Sequence, residues 1–184
     1  MNIAVLISGT GTNLKALIDA ENRGEFKSKI SLIVADRDAK GLIHGYNANI
    51  DSFVIKDDDK LLDKLRDYSI DFIVLAGYLK KVPEEIVNNY ENRIINIHPS
   101  LLPKYGGKGF YGMAVHEAVF KNKEKFSGAT VHYVNNKLDD GDIVLQRKVD
   151  ISEAKSPYEI RDMVLEIEHK ILKDAIKKIE EENL

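Results

Sequence analysis

The sequence contains no cysteine. That excludes disulfides, thiolate nucleophiles and cysteine-based zinc sites together. It also lacks any run near the roughly 20 apolar residues a membrane-spanning helix needs. Its start, Met1-Asn2-Ile3-Ala4-Val5-Leu6-Ile7, reaches glycine after a short apolar run with no basic segment ahead of it, and so reads as a first strand and not a signal peptide. A cytoplasmic protein without a membrane partner is expected. Charge of one sign is scarce: the net charge of -3 leaves no electrostatic footprint for nucleic acid or acidic lipid. No like-charge block, low-complexity tract, internal repeat or linker appears. What remains, 184 residues with 43% hydrophobic and 31% charged composition, fits one globular domain over residues 1–184.

Residues 3–7 are followed by Ser8-Gly9-Thr10-Gly11-Thr12-Asn13 and then by Leu14, Ala16, Leu17 and Ile18 at helical spacing. A strand, a glycine loop and a helix in that order aim backbone N–H groups and a helix N-terminus at the sheet's edge, where a phosphate can sit. The loop is not Walker A, because no Gly-Lys-Ser/Thr follows, and Leu14 takes the third glycine position of a dinucleotide fingerprint. A tight strand-to-helix turn is the other reading, and both stay open. Residues 30–35 form the next apolar run and end in Asp36-Arg37-Asp38. An acid there holds a ribose hydroxyl in dinucleotide-binding folds, whereas Asp38 is equally suited to cap a helix over 39–47. After a short strand at 52–55, Asp57-Asp58-Asp59 precede Leu61, Leu62 and Leu65 at helical spacing. The three acids therefore read as helix capping in preference to a metal site.

Residues 71–76 are the clearest buried strand, and Pro83-Glu84-Glu85 opens a helix to about residue 89. Repeated strand, loop and helix units predict an α/β fold with a mostly parallel, doubly wound sheet. Ligands collect beyond the carboxyl ends of such strands, so the loops at Gly9, Gly77 and Asn96 should meet. Arg93-Ile94-Ile95 reads as another buried strand, with Asn96 at its end and His98 just past it. Two residues apart in extended backbone, an amide and an imidazole face one crevice. Pro99 pushes His98 toward extended geometry, and Pro99 and Pro103 stiffen the loop.

Residues 106–112, Gly-Gly-Lys-Gly-Phe-Tyr-Gly, are too glycine-rich for regular structure and form either a flap or a long connection. A helix over 113–122 carries His116, whose role, at the surface, in support or in chemistry, stays open. Strands at 129–134 and 143–149, joined by 135–142, predict an antiparallel addition to the sheet. Asp139, Asp140 and Asp142 crowd Gly141; turn chemistry alone favours this composition, and a functional acid among them is the alternative. Ser156-Pro157-Tyr158-Glu159 is a capping box. It opens a long C-terminal helix with Ile160, Met163, Val164, Ile167, Ile171, Ala175 and Ile179 along one side. Glu168 borders that stripe, where most residues are surface charge, as is the lysine-glutamate tail to Leu184.

With no serine elbow and no His-rich spacing, no metal is expected. A charged imidazole and an amide N–H suit an oxygen that becomes negative during attack on a carbonyl. A carboxylate beside the imidazole favours its protonated form and can collect the nucleophile's proton. Acyl-type transfer without a covalent enzyme intermediate follows, the alternative being a His98 that merely satisfies buried backbone.

The run Asn96-Ile97-His98-Pro99-Ser100-Leu101-Leu102-Pro103 is joined by residues 2–13, by Val74-Leu75-Ala76-Gly77-Tyr78, and by residues 128–146 with Leu138-Asp139-Asp140-Gly141. Together they resemble the phosphoribosylglycinamide formyltransferases, a folate-dependent family of purine synthesis, from Met1 through the last helix. The resemblance implies a Rossmann-like formyltransferase fold: a mostly parallel sheet, an antiparallel C-terminal hairpin and a long C-terminal helix. It implies transfer of a formyl group from 10-formyltetrahydrofolate to the primary amine of glycinamide ribonucleotide, by direct attack through a tetrahedral intermediate. By matching position, Asn96 and protonated His98 hold the oxyanion, while Asp139 keeps His98 charged and assists proton transfer. Gly11, Thr12 and Asn13 bind the substrate phosphate, and Glu168 reaches the ribose hydroxyls. The folate lies against Leu79, Lys80, Val82 and the turn of Val134, Asn135, Asn136, Lys137 and Leu138.

The implied partners are the ribonucleotide and the folate, with no nucleic acid, no membrane and no metal, in a monomer or homodimer. Lys80 stands where many relatives carry Arg, Asn136 replaces an acidic or apolar residue, and Asp142 stands where proline is common; residues 108–111 belong to a longer version of the flap. Two related enzymes need more chain: a methionyl-tRNA formyltransferase an appended tRNA-binding domain, a formyltetrahydrofolate deformylase a regulatory domain in front. Neither fits 184 residues that begin at the first strand. A module that kept the fold and lost the chemistry would lose one of Asn96, His98 or Asp139, and all three are present.

Overall fold

Strand β1 (Asn2–Ile7) is buried from Ile3 onward and serves two cores by alternation: Ile3, Val5 and Ile7 enter one, Ala4 and Leu6 the other. It lies inside a seven-stranded sheet, seen in a computed structural model that describes residues 1–182. The end of the charged tail, Asn183 and Leu184, lies outside the described residues. After β1 come α1 (Thr12–Asn22), β2 (Lys29–Ala35), α2 (Leu42–Asn47), β3 (Ser52–Val54), α3 (Asp58–Asp67), β4 (Phe72–Leu75), α4 (Glu84–Asn89) and β5 (Ile94–His98). Then follow α5 (Met113–Lys121), β6 (Phe126–Tyr133), β7 (Ile143–Asp150) and α6 (Pro157–Glu182).

The strand order is β3-β2-β1-β4-β5-β6-β7, parallel as far as β5 and antiparallel for β6 and β7. The expected mostly parallel sheet, antiparallel hairpin and long last helix are all present. The order of successive strands reverses at the parallel pair β1 and β4, and a crevice opens beyond the carboxyl ends of strands at such a point. Helix α6 seals one face, burying Ile160, Val164, Ile171, Leu172, Ala175, Ile176 and Ile179 in the larger core. Leu61, Leu62 and Leu65 of α3 fill the other with Ile86 and Val87 of α4. Among the described residues no helix is long and apolar enough to cross a membrane.

Local signals fix most helix starts. Asp57 accepts the Lys60 N–H at 3.0 Å through its side chain, with Asp58 and Asp59 in the first turn of α3, so the acid run caps a helix. Ser156 Oγ accepts the Glu159 N–H at 3.2 Å, and the Glu159 carboxylate reaches back to the Lys155 N–H, one residue beyond the usual capping box. Two boundaries differ from expectation. Helix α2 begins at Leu42 and not at 39, and no side chain caps it. The Gly41 N–H instead donates to the Gly9 carbonyl at 2.9 Å, which draws the segment before α2 onto the glycine loop and leaves Asp38 outside the helix. Strand β5 extends through His98, because His98 pairs with Thr130 of β6.

Candidate active site

Pairing with β6 sets Asn96 opposite His132 and His98 opposite Thr130. Parity sends Ile95 and Ile97 into the larger core and turns Asn96 and His98 the other way. The Asn96 Nδ2 lies 3.1 Å from His132 Nε2, and His132 Nδ1 lies 2.9 Å from the Tyr133 carbonyl oxygen. A carbonyl only accepts, so Nδ1 carries the proton, and in the neutral ring Nε2 accepts from the Asn96 amide. One N–H of Asn96 is thereby anchored, and among the described residues the other is not engaged. His132 was not singled out in the sequence; it sits in an apolar strand, and only the strand register places it against Asn96.

Asp139 joins the group from the connection between β6 and β7, in left-handed backbone with φ 52°. Its Oδ2 lies 3.7 Å from His98 Nδ1 and accepts the Gly107 N–H at 2.8 Å, while Oδ1 lies 3.6 Å from His132 Nε2. One carboxylate thus stands between two imidazoles and holds the start of the glycine-rich segment. His98 Nε2 donates to the Tyr105 carbonyl at 2.7 Å, leaving Nδ1 to face Asp139.

Burial is the largest influence on His98 and lowers its pKa; the Asp139 charge and the Tyr105 bond oppose it without prevailing. Asp139 thus pulls the ring toward its charged form, as expected of it, while burial pulls the other way. Burial raises the Asp139 pKa, but the His132 ring, the Gly107 N–H and His98 outweigh it, and the carboxyl lies below its ordinary range.

These side chains line a cavity of about 940 Å³. Asn13, at the start of α1, lines it too, and its Nδ2 donates to Glu168 Oε2 at 2.6 Å. Glu168 is buried, contrary to the expectation for a residue bordering the stripe of α6, and burial pushes its pKa up to about 7 against the lowering effect of Asn13. Gly11 and Thr12 lie beside this end without lining the cavity, where Gly9 does. The loops meet as expected: the Ser8 N–H donates to the Gly77 carbonyl at 3.0 Å, and the Leu79 N–H to Ser8 Oγ at 2.8 Å.

Of the positions expected to contact folate, Leu79, Lys80, Val82, Val134, Asn135, Lys137 and Leu138 line the cavity. Leu79 and Leu138 are exposed, an apolar rim on both sides of the opening. Asn136 is the exception, since its amide turns to Asn88 Oδ1 at 3.4 Å, outside the lining. The Lys80 ammonium is spent on the Lys56 carbonyl, at 2.7 Å, and on Asp58.

Of the acids after β2, where a dinucleotide-binding fold would hold a ribose, Asp36 is buried and closed by Arg37, with Nε and Nη2 at 2.9 and 2.6 Å from its two oxygens. His116, whose role was open, is buried in the lining, and burial, then Arg161 and His98, push its pKa down to about 4. Among the described residues Asn13 Oδ1, Tyr78 Oη and His116 Nδ1 are buried lining atoms without a hydrogen-bond partner. Orphaned polar atoms in a cavity of this size suit a ligand with both donors and acceptors. Among the described residues no group of three or more His, Cys, Asp or Glu could hold a metal.

The loop from Pro99 to Tyr105 is clamped from below. Thr130 Oγ1, fully buried, donates to the Ser100 carbonyl at 2.7 Å and accepts the Leu102 N–H at 3.2 Å. Gln146 Nε2 donates to the Leu102 carbonyl at 3.0 Å and to Thr130 Oγ1 at 2.9 Å.

Comparison with known proteins places this geometry in company. Residues 1–176 match the formyl transferase family. A phosphoribosylglycinamide formyltransferase of Haemophilus influenzae is 39% identical over 95% of this chain and 85% of its own. The chloroplastic phosphoribosylglycinamide formyltransferase of Vigna unguiculata is 36% identical over 99% of this chain, which spans 62% of that relative's length. The crystal structure of glycinamide ribonucleotide transformylase 1 from Symbiobacterium toebii superposes with a TM-score of 0.89 at 34% identity, covering 96% of this chain and 86% of that one.

Proposed function

Because the chain belongs to the formyl transferase family, among its phosphoribosylglycinamide formyltransferases, we propose that it transfers a formyl group from 10-formyltetrahydrofolate to the primary amine of glycinamide ribonucleotide, a step of purine synthesis. The observation that carries the reading is the convergence of Asn96, His98 and Asp139 on one wall of the cavity whose other end holds the Asn13–Glu168 pair. The cavity volume, the apolar rim of Leu79 and Leu138 and the three orphaned polar atoms suit a folate and a ribonucleotide together.

The folate supplies the formyl carbonyl under attack. The free N–H of Asn96 and Nδ1 of His98 are the donors for its oxygen as that oxygen becomes negative. Burial disfavours the charged form of His98 and the Asp139 charge favours it; a developing oxyanion adds to that charge and shifts the ring toward protonation, so the amine's proton is taken up as charge forms. A bond forms from the amine nitrogen to the formyl carbon, the bond from that carbon to the folate nitrogen breaks, and the proton ends on the departing nitrogen. Asp139, ionised and 3.7 Å from His98, carries that relay. Glu168 and the Asn13 amide oxygen are acceptors for ribose hydroxyls, and the N–H groups of residues 10–12 are donors for the phosphate.

The deciding experiment is a spectrophotometric assay of folate deformylation by the purified protein, with and without glycinamide ribonucleotide. Turnover that requires the ribonucleotide is expected. Folate turnover without it, or none in a folded protein, overturns the reading.

A further inference from the structure

We infer that His44, on α2 and outside the cavity lining, is a positioning residue that aims the glycine loop's N–H groups at the substrate phosphate. The inference rests on the ribonucleotide reading above and extends it to a residue with no ligand contact.

The loop between β1 and α1 has its carbonyls tied down one after another. The Gly9 carbonyl accepts the Gly41 N–H at 2.9 Å, the Thr10 carbonyl lies 3.1 Å from His44 Nε2, and the Gly11 carbonyl accepts the Lys15 N–H at 2.8 Å. Because a carbonyl only accepts, His44 Nε2 carries a proton and donates it to Thr10. These peptide units are trans and planar, so each N–H points opposite to its own carbonyl. Holding the Thr10 carbonyl on the α2 side therefore turns the Gly11 N–H away from α2, and the Gly41 contact does the same for the Thr10 N–H. Among the described residues the N–H groups of Thr10, Gly11 and Thr12 take no partner, so three adjacent donors lead into the first turn of an 11-residue helix.

The fit of α2 against this loop is close. A Cβ on Gly11 would stand 2.8 Å from the Gly41 Cα and 3.2 Å from the His44 ring, and Gly11 has φ 70°. A second observation points to a ligand beside the loop: Asn13 is buried in the cavity wall, and among the described residues its Oδ1 has no partner, an acceptor suited to a hydroxyl of the ribonucleotide whose phosphate the loop would hold. Without the His44 bond the Thr10–Gly11 peptide is free to rotate, and rotation would present a carbonyl oxygen, not an N–H, to an anion.

The test compares wild type with His44→Leu and His44→Gln. Calorimetry reads the affinity for glycinamide ribonucleotide and for glycinamide ribonucleoside, which lacks the phosphate, and steady-state kinetics supply kcat and KM. His44→Leu should weaken ribonucleotide binding and raise its KM about threefold to tenfold, as loss of one hydrogen bond implies. Ribonucleoside affinity and kcat should hold to within about twofold, and His44→Gln, whose amide can donate to the same carbonyl, should recover most of the loss. Should His44→Leu fail to fold, His44→Asn, too short to reach Thr10, carries the same comparison. Unchanged ribonucleotide affinity, or equal losses for the two ligands, overturns the role of His44 and leaves the formyltransferase reading intact. A wild type that does not distinguish ribonucleotide from ribonucleoside overturns the phosphate assignment itself, and the inference with it.

Discussion

His98 has one ring nitrogen on a backbone carbonyl and the other toward a carboxylate: it satisfies backbone at Tyr105, and it also faces Asp139. His98→Ala and Asp139→Asn should each lower turnover by about two orders of magnitude or more, as loss of an oxyanion donor or a proton partner does. Single-turnover rates at saturating substrates measure this, and near-normal rates in either variant would remove that residue from the chemistry. The pair Asn96 and His98 was legible because a two-residue spacing in a strand fixes a shared face. His132 was not legible: its partner lies across a strand boundary, and nothing within residues 129–134 states which residue of β5 it will oppose. The periodicity of α6 alone put Glu168 at the surface for a related reason. Its place at the edge of an apolar stripe suits solvent until α1 supplies Asn13.

Elements with a clean period were readable: the continuous apolar runs of β1, β4 and β5 and the stripe of α6 fall where their spacing puts them. Helix α2 was not, because its start is decided by contact between Gly41 and the glycine loop and not by the acid that precedes it. At this scale the loop after β5 depends less on its prolines than on β6 and β7 beneath it. Thr130→Val keeps the volume but strips Ser100, Leu102 and Gln146 of a buried partner. It should cost about 2–4 kcal/mol and lower the melting temperature by roughly 5–10 °C in a thermal scan. Turnover should fall as well, since the same loop carries the Tyr105 carbonyl that fixes the His98 ring.

For the whole molecule, Glu168 couples stability to pH. Its folded pKa of about 7 stands above the unfolded value of 4.5, so the native state holds a proton that the unfolded chain releases between those values. The contribution is fully present below pH 4.5 and is lost as pH rises to about 7, a change of about 3 kcal/mol. Denaturant midpoints at pH 5 and pH 8 should therefore differ less in Glu168→Gln than in wild type, and an identical pH slope in both would show that another group carries it. The bond that opposes this shift, from Asn13 to Glu168, joins residues 155 apart. A chain still leaving the ribosome has its glycine loop and the Asn96-His98 pair long before it has α6. On the proposed function, competence to hold a ribonucleotide thus arrives last, and a half-made chain would gain no stability from such a ligand until its final helix has docked.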